Sequence, residues 1–443
     1  MSFDVSKSLL TADSLYERLC SLSAGNDYLV AFSGGLDSHV LLHLMGCIAK
    51  TFPEVHLRSV YIDHGLQKES SAWAHHCQQV TTAFNIEHHA LSLHLQIPPG
   101  ESLEAVARKA RYQALEKHLF KDEILLTAHH QDDQAETVLL QLLRGSGLDG
   151  LAAMPVKCPF STSYHVRPLL DYCRAQLEEY AQTHNLEYIS DPSNKDDRFD
   201  RNFLRNSVIP ILKQRWPQMG KTLSRSAKLH AEASVLQAES LDAEMPMLAG
   251  SKKGTLSASA LLGLPEIKQK AALRYWIKKA DFKAPSAVQL QHIVTDVLKS
   301  ALDAMPLVEW SGAEIRRYLD DVYIMSPLPS LSVLTATDAI AWDINHSLII
   351  EQSLPALNPD DLGGLKNVLL EHAIPVTIRF RQGGERIRLK QRQCSISLKN
   401  LFQEERVPPW QRERIPLVFA NDQLIYIPDL ARIDEADIIK QKN

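Results

Sequence analysis

An apolar run at residues 28–32 (YLVAF) stops on Ser33-Gly34-Gly35, and behind it Val40, Leu41, Leu44, Met45 and Ile48 recur at helical spacing. A buried strand that breaks on two glycines and resumes as a helix is the opening unit of a parallel α/β sheet. The rhythm continues. Residues 57–62 (LRSVYI) read as a second strand, 69–84 as a helix, 86–93 as a third strand and 101–120 as a helix. Residues 124–128 (ILLTA) read as a fourth strand, and 131–143 return to helical spacing. The expected fold class is therefore α/β, with a parallel Rossmann-like sheet covered by helices. Ligands of such sheets bind beyond the carboxyl ends of the strands. Three of those ends carry polar clusters, at 33–38, 63–65 and 129–133.

At about 150 residues per domain, a chain of 443 suggests three domains. The pattern changes after Pro155–Pro159, and 191–205 (DPSNKDDRFDRNFLR) is polar and loop-like. From 216 to 299 the spacing is mostly helical, 306–355 holds short β-like runs, and alternation returns at 376–380 and 417–427. The expected division is a catalytic α/β domain over 1–215, a mainly helical domain over 216–355 and a small α+β module over 360–443. With 45% hydrophobic and 23% charged residues the composition is that of a soluble globular protein. No apolar run approaches the roughly 18 residues of a membrane helix. The first ten residues carry Asp4 and Lys7 and no signal-peptide core, so the expectation is a cytoplasmic protein without a membrane partner. The six cysteines show no C-x-x-C spacing, which argues against zinc ribbons and iron–sulfur sites.

The net charge of −5 hides an uneven distribution. Residues 198–228 hold eight Lys/Arg against one acid, and 379–414 hold ten against four. Two basic stretches in an otherwise acidic chain suggest a polyanion partner, unless acids elsewhere answer them in space.

The segment Ser33-Gly34-Gly35-Leu36-Asp37-Ser38 suits a polyphosphate. Glycines let backbone N–H groups come close, and the helix start adds unpaired donors and the positive end of its dipole. Ser33 and Ser38 add hydroxyls. Asp37 would repel phosphate, which calls for Mg²⁺ between them. The loop is not a Walker A motif. Gly220-Lys221-Thr222 has Arg215 where that motif needs glycine, and no G-x-G-x-x-G is present.

In the 128–137 segment (AHHQDDQAET), Asp133 and Glu136 share a helix face at its first turn. They either cap that helix or form an acidic pocket facing the phosphate loop. His129 and His130, being adjacent after a strand, point to opposite sides, which disfavours a paired metal site. Glu104, Arg108, Arg111 and Tyr112 fall on one helix. Glu104 and Arg108 can pair at i,i+4, or Arg108 and Arg111 can hold ATP phosphates or RNA.

The S-G-G-x-D-S loop resembles that of the N-type ATP pyrophosphatases, the PP-loop family, which adenylate a carbonyl-type oxygen and release pyrophosphate. The stretches LVAFSGGLDS, EAVARKARY, TAHHQDDQAET, LLRGSGLDGLAAM and DPSNKDDRFDRNFLRNSVIP resemble the tRNA(Ile)-lysidine synthase family within it. RFRQGGERIRL and LKNLFQEERVPPWQRERIPL resemble the long form with a C-terminal domain. The resemblance implies a carbon–nitrogen ligase that uses ATP to join L-lysine to C2 of the wobble cytidine in the CAU anticodon of tRNA(Ile). It implies an adenylated cytidine intermediate, release of AMP and pyrophosphate, and a change from AUG to AUA reading and from Met to Ile identity. Residue by residue, it implies ATP binding by Ser33, Gly34, Gly35, Leu36, Asp37, Ser38 and Arg108. Mg²⁺ would sit at Asp37, while Asp133 and Glu136 would bind lysine or move its proton, and Arg205 would contact phosphate or the activated base. Trp410 and Phe402 either stack on bases or pack in the core. A homodimer is left open. The rivals are a thiolating or amidating relative, which needs a thiol such as Cys158 or Cys173, and a tRNA-binding protein without catalysis.

Overall fold

The first strand, β1 (Asp27–Ala31), is covered on both faces, as the middle of a parallel sheet requires. Tyr28 and Val30 enter one apolar cluster with Val40, Leu44 and Leu177, and Leu29 enters another with Val60, Leu115 and Leu125. The alternation follows from the two-residue period of a strand. The computed structural model describes residues 9–433, apart from 24, 64, 66–69, 94, 96–102, 303, 330–338, 352–353, 355 and 389–394. It divides into two compact units, Met1–Glu239 and Ser240–Asn443.

In the first unit, α1 (Ala12–Leu22) precedes β1, and α2 (Leu36–Thr51), β2 (His56–Asp63), α3 (Ser70–Ala83), β3 (Glu87–Ser92), α4 (Leu103–His118), β4 (Ile124–Leu126) and α5 (Gln131–Leu143) follow. A short α6 (Leu148–Leu151) leads to β5 (Lys157–Phe160) and β6 (Ser163–Val166), and then to α7 (Arg174–Thr183). The six strands lie in the order β3-β2-β1-β4-β6-β5, with parallel pairing everywhere except between β5 and β6. The chain steps outward from β1 to β2 and β3, then crosses to β4 on the other side of β1. The switch point, where the carboxyl ends open a crevice, therefore lies between β1 and β4.

The parallel sheet foreseen from the sequence is present, and a hairpin is added to it. Pro159 reads as a boundary, but β5 is an edge strand, where the missing N–H costs no ladder bond. The polar stretch 191–205 also differs from a plain loop. After a 3₁₀ turn (Pro192–Lys195), α8 (Asp200–Phe203) runs through a wider π-type turn (Leu204–Val208) into α9 (Ile209–Arg215). Nothing in the local sequence is strongly helical there. Contacts of Arg201 and Arg205 with α5 hold it.

The second unit opens with helices Ala258–Leu262, Glu266–Lys279 and Ala287–His292 beside a four-stranded antiparallel sheet from Leu256–Ser257, Asp321–Met325, Ala313–Tyr318 and Leu307–Trp310. A five-stranded sheet containing Val376–Arg379, Leu417–Ala420 and Gln423–Ile427 follows, with helices Gly364–Glu371 and Leu398–Glu404 in its apolar cluster. Phe402 is buried in that cluster, and Trp410 is buried edge-on to Tyr318 and Tyr323. Both are packing residues. Among the described residues no helix is long and apolar enough to cross a membrane.

Candidate active site

The loop after β1 has the geometry its sequence demanded. Gly34 takes φ +78°, a conformation that L side chains rarely adopt. A Cβ there would stand 2.6 Å from Ile189 Cδ1 and 3.1 Å from Cys77 Sγ. Gly35 is the N-cap of α2 and supplies no side-chain cap, so the first N–H groups of the helix remain open to a ligand. Ser33 and Ser38 tie the loop across its neck, Oγ to Oγ at 3.0 Å, and the Ser33 N–H donates to Ser38 Oγ at 3.2 Å. Leu36 is buried in the core cluster, so only its backbone is available to a nucleotide. Gly34→Ala is expected to destabilise the fold by about 1–2 kcal/mol, the cost of a left-handed non-glycine residue. It should also weaken ATP binding. Urea unfolding and equilibrium dialysis with ATP measure the two effects.

Asp37, in the first turn of α2, accepts from Arg174 Nη1 with both oxygens at 3.0 Å. His130 Nε2 lies 3.6 Å from Asp37 Oδ2 and 3.5 Å from Asp133 Oδ2. Burial works to raise the Asp37 pKa, but His130, Arg174 and Arg205 outweigh it, and the carboxyl lies below its ordinary value. His130 is the N-cap of α5, and its Nδ1 accepts from the Asp132 N–H at 3.2 Å. The neutral ring therefore carries its proton on Nε2, facing Asp37 and Asp133. Burial opposes charging this ring, yet Asp133, Asp37 and Asp132 together raise its pKa above the ordinary imidazole value.

The two readings of Asp133 both hold. Its Oδ2 accepts the His130 N–H at 3.0 Å, a helix cap, and its Oδ1 accepts from Arg205 Nη2 at 3.0 Å within the pocket. Glu136 is 1% exposed at its side chain and is engaged on both oxygens. Arg205 Nε donates to Oε1 at 2.6 Å, and Arg205 Nη2 and Arg201 Nε donate to Oε2 at 2.9 and 3.0 Å. Asp132 is paired with Lys213 of α9. Thus the loop, the first turn of α5 and the Arg201–Lys213 segment meet at the β1–β4 switch point.

Arg108 forms no hydrogen bond or ion pair with the loop among the described residues. It lies on α4 against the ring of Tyr112, and Glu104's side chain lies outside the described residues. Arg174, Arg201 and His130 are site residues that motif reading did not single out. Arg201 had a signal, since it precedes Arg205 by four residues in RNFLR. Arg174 had none, because only the return of the chain through β6 brings it to Asp37.

Oxygen donors at Asp37 and Asp133 suit Mg²⁺, which binds through one or two carboxylates plus phosphate oxygens. Among the described residues no group of three or more His, Cys, Asp or Glu side chains able to hold a metal occurs, so such an ion needs the phosphates as further ligands.

Comparison with known proteins agrees with this geometry. A PP-loop domain family matches residues 9–212, a TilS substrate binding domain matches 256–323, and a TilS substrate C-terminal domain matches 376–437. A tRNA(Ile)-lysidine synthase of Coxiella burnetii is 39% identical over 419 residues, covering 95% of this chain and 92% of its own. One from Yersinia pseudotuberculosis is 40% identical over 418 residues, 91% of each chain. One from Photorhabdus laumondii is 41% identical over 398 residues, 90% of this chain and 88% of its own. Among solved structures, the U34-tRNA thiolase NcsA from Methanococcus maripaludis aligns with a TM-score of 0.41 at 17% identity, covering 50% of this chain and 78% of that one. A PP-loop at the switch point and relatives at about 40% identity along nearly the whole length place the chain in the tRNA(Ile)-lysidine synthase family.

Proposed function

We propose that this protein joins L-lysine to C2 of the wobble cytidine in the CAU anticodon of tRNA(Ile), using ATP and releasing AMP and pyrophosphate. The observation that carries the reading is the single pocket in which His130 links Asp37 of the phosphate loop to Asp133 of α5. The chemistry needs both halves. The C2 oxygen is a poor leaving group until it attacks the α-phosphorus of ATP. Pyrophosphate then departs and AMP is left on the base. The ε-amine of lysine next attacks C2, a C–N bond forms, the C–O bond breaks and AMP leaves with the electron pair.

The open N–H groups behind Gly35 and the Ser33 and Ser38 hydroxyls bind the phosphates. Asp37 would hold Mg²⁺, whose charge would offset that of the triphosphate. Lysine's ammonium, with an ordinary pKa of about 10.4, must be held and relieved of a proton before attack. Asp133, 13% exposed at its side chain against 1% for Glu136, is the acid assigned to that amine, because Glu136 is filled by two guanidiniums. Glu136 in turn holds Arg205 and Arg201 where phosphate or the activated base arrives. The three-part division at 1–215, 216–355 and 360–443 is supported by family matches that end at 212, span 256–323 and span 376–437.

The basic stretch at 198–228 serves two purposes. Arg198, Arg201, Arg205 and Lys213 are paired with acids. Lys221, Arg225 and Lys228 recur at i, i+4 and i+7 on the helix Met219–Glu244, all exposed and, among the described residues, without a carboxylate partner. That stripe suits an RNA backbone. In the C-terminal stretch Arg379 is answered by Asp422, and Arg412 donates to Val407 O and the Tyr318 hydroxyl. The cytoplasm, where tRNA and ATP are at hand, is the proposed location.

A thiolating rival needs a reactive thiolate, favoured by an electropositive and accessible setting. Burial pushes the Cys77 thiol up to about 12 and raises that of Cys47, which leaves Cys158 and Cys173 as the thiols that rival must use. The deciding experiment is incubation with ¹⁴C-lysine, ATP and unmodified tRNA(Ile). Label should enter the tRNA only when all components are present, and a Cys158→Ser/Cys173→Ser double variant should retain that activity. Loss of incorporation in the double variant would favour the rival.

A further inference from the structure

Beyond the acidic pocket, four guanidinium groups gather on the β4–β6 side of the site. Arg108 and Arg111 of α4 flank the ring of Tyr112, their guanidinium carbons 5.2 and 5.4 Å from its centroid. Tyr112 packs against His165 at 5.6 Å between centroids. Arg167 follows β6 and is 6% exposed, with a buried Nε–H that has no partner among the described residues. Arg201 is tied to Glu136, but among the described residues Arg108, Arg111 and Arg167 form no ion pair with any carboxylate. Arg108 is exposed and Arg111 half-buried, so both can reach a ligand, and neighbouring cations with no carboxylate between them among the described residues are readily completed by an anion.

The direction of the hydrogen bonds behind this cluster starts from Arg167. Arg167 Nη2 lies 3.2 Å from His165 Nδ1, and a guanidinium can only donate. His165 therefore carries its proton on Nε2 and donates it to Thr127 Oγ1 at 2.7 Å. The Thr127 hydroxyl, accepting from His165, has its own hydrogen to give, and His129 Nδ1 stands 2.7 Å away to accept it. With that bond His129 carries its proton on Nε2, for which no hydrogen bond occurs among the described residues. Burial keeps both rings neutral: His165 is pushed down to about 3, and His129 lies well below its ordinary value. With His129 in that tautomer, every free polar end that Arg108, Arg111 and His129 offer is a donor, and two of the three are cationic. Such a set suits phosphate oxygens and offers nothing to an ammonium, which has only hydrogens to give.

We propose that Arg108, Arg111 and the His129 Nε2–H, braced through Thr127 and His165 by Arg167, form a phosphate subsite distinct from the loop at 33–38, and that it takes a phosphodiester of the anticodon loop beside the wobble nucleotide. Position favours RNA over the nucleotide. The loop follows β1, whereas Thr127–His129 and Arg167 follow β4 and β6 on the far side of the switch point. The proposal rests on the lysidine-forming reading above and names how that site grips its larger substrate.

The test uses the full-length protein with Arg108→Gln, Arg111→Gln and the double variant, with melting temperatures checked first. Filter binding of unmodified tRNA(Ile) without ATP is followed across salt concentrations, and ATP binding is measured separately without tRNA. Each single variant should bind tRNA more weakly and lower the slope of log K against log salt by about 1. Arg111→Lys should recover much of the slope, and ATP affinity should not change. Variants with wild-type slope and tRNA affinity would overturn the subsite. Loss of ATP affinity at unchanged slope would overturn its assignment to RNA and give it to the nucleotide. Wild-type protein that binds tRNA(Ile) but incorporates no lysine would instead remove the functional reading, leaving the RNA subsite to be judged by the slopes.

Discussion

Asp37→Ala should leave a folded protein that transfers almost no lysine to tRNA, with a rate at least about 10²–10³-fold below wild type, the range typical for removing a charged group that organises a transition state. The fold should tolerate the change. Asp37 is paired with Arg174, whose side chain is 39% exposed, and a pair in contact with water contributes no more than about 1 kcal/mol. The lost carboxylate would remove the proposed Mg²⁺ ligand of the loop and one of the two acids that His130 links. Single-turnover incorporation of ¹⁴C-lysine, read beside a urea melt, separates the two effects. Incorporation at the wild-type rate would take Asp37 out of the mechanism.

Glu136→Gln should behave differently, because Glu136 is buried and serves two cations. An amide has one acceptor oxygen, so at least one of Arg201 and Arg205 would lose its partner or meet an NH₂ group. Breaking a buried pair from one side costs about 3 kcal/mol or more, and the partial exposure of the two arginines points to the lower end. Both the urea midpoint and lysidine formation should fall. The outcome also decides the residue's role. Unchanged stability with a raised KM for lysine alone would mean that Glu136 meets the substrate directly, and that the guanidinium clamp is secondary.

Much of the fold was legible in the chain because it was encoded locally. The alternation of short apolar runs with helical spacing gave four strands and their helices, and α5 falls on the residues its periodicity indicated. The phosphate loop was legible for a similar reason, since a left-handed turn between strand and helix needs glycine, and Gly34 occupies it. The hairpin Lys157–Val166 was not. Its pairing with β4 is a long-range choice, and Pro159 masks it. The helix after Asp200 was equally hidden, because its support comes from α5 and not from its own residues.

For the site, the sequence by itself determined the candidates: the loop at 33–38, the acids Asp37, Asp133 and Glu136, and Arg205. Only the tertiary structure decided how they are divided. The crossing from β3 to β4 brings His130 between Asp37 and Asp133, and the return through β6 brings Arg174 onto Asp37. The fold of 200–215 across α5 saturates Glu136 and leaves Asp133 as the more exposed of the two. Spacing along a chain fixes which side chains share a helix face. Which charges meet across the crevice depends on strand order, and no local pattern records that.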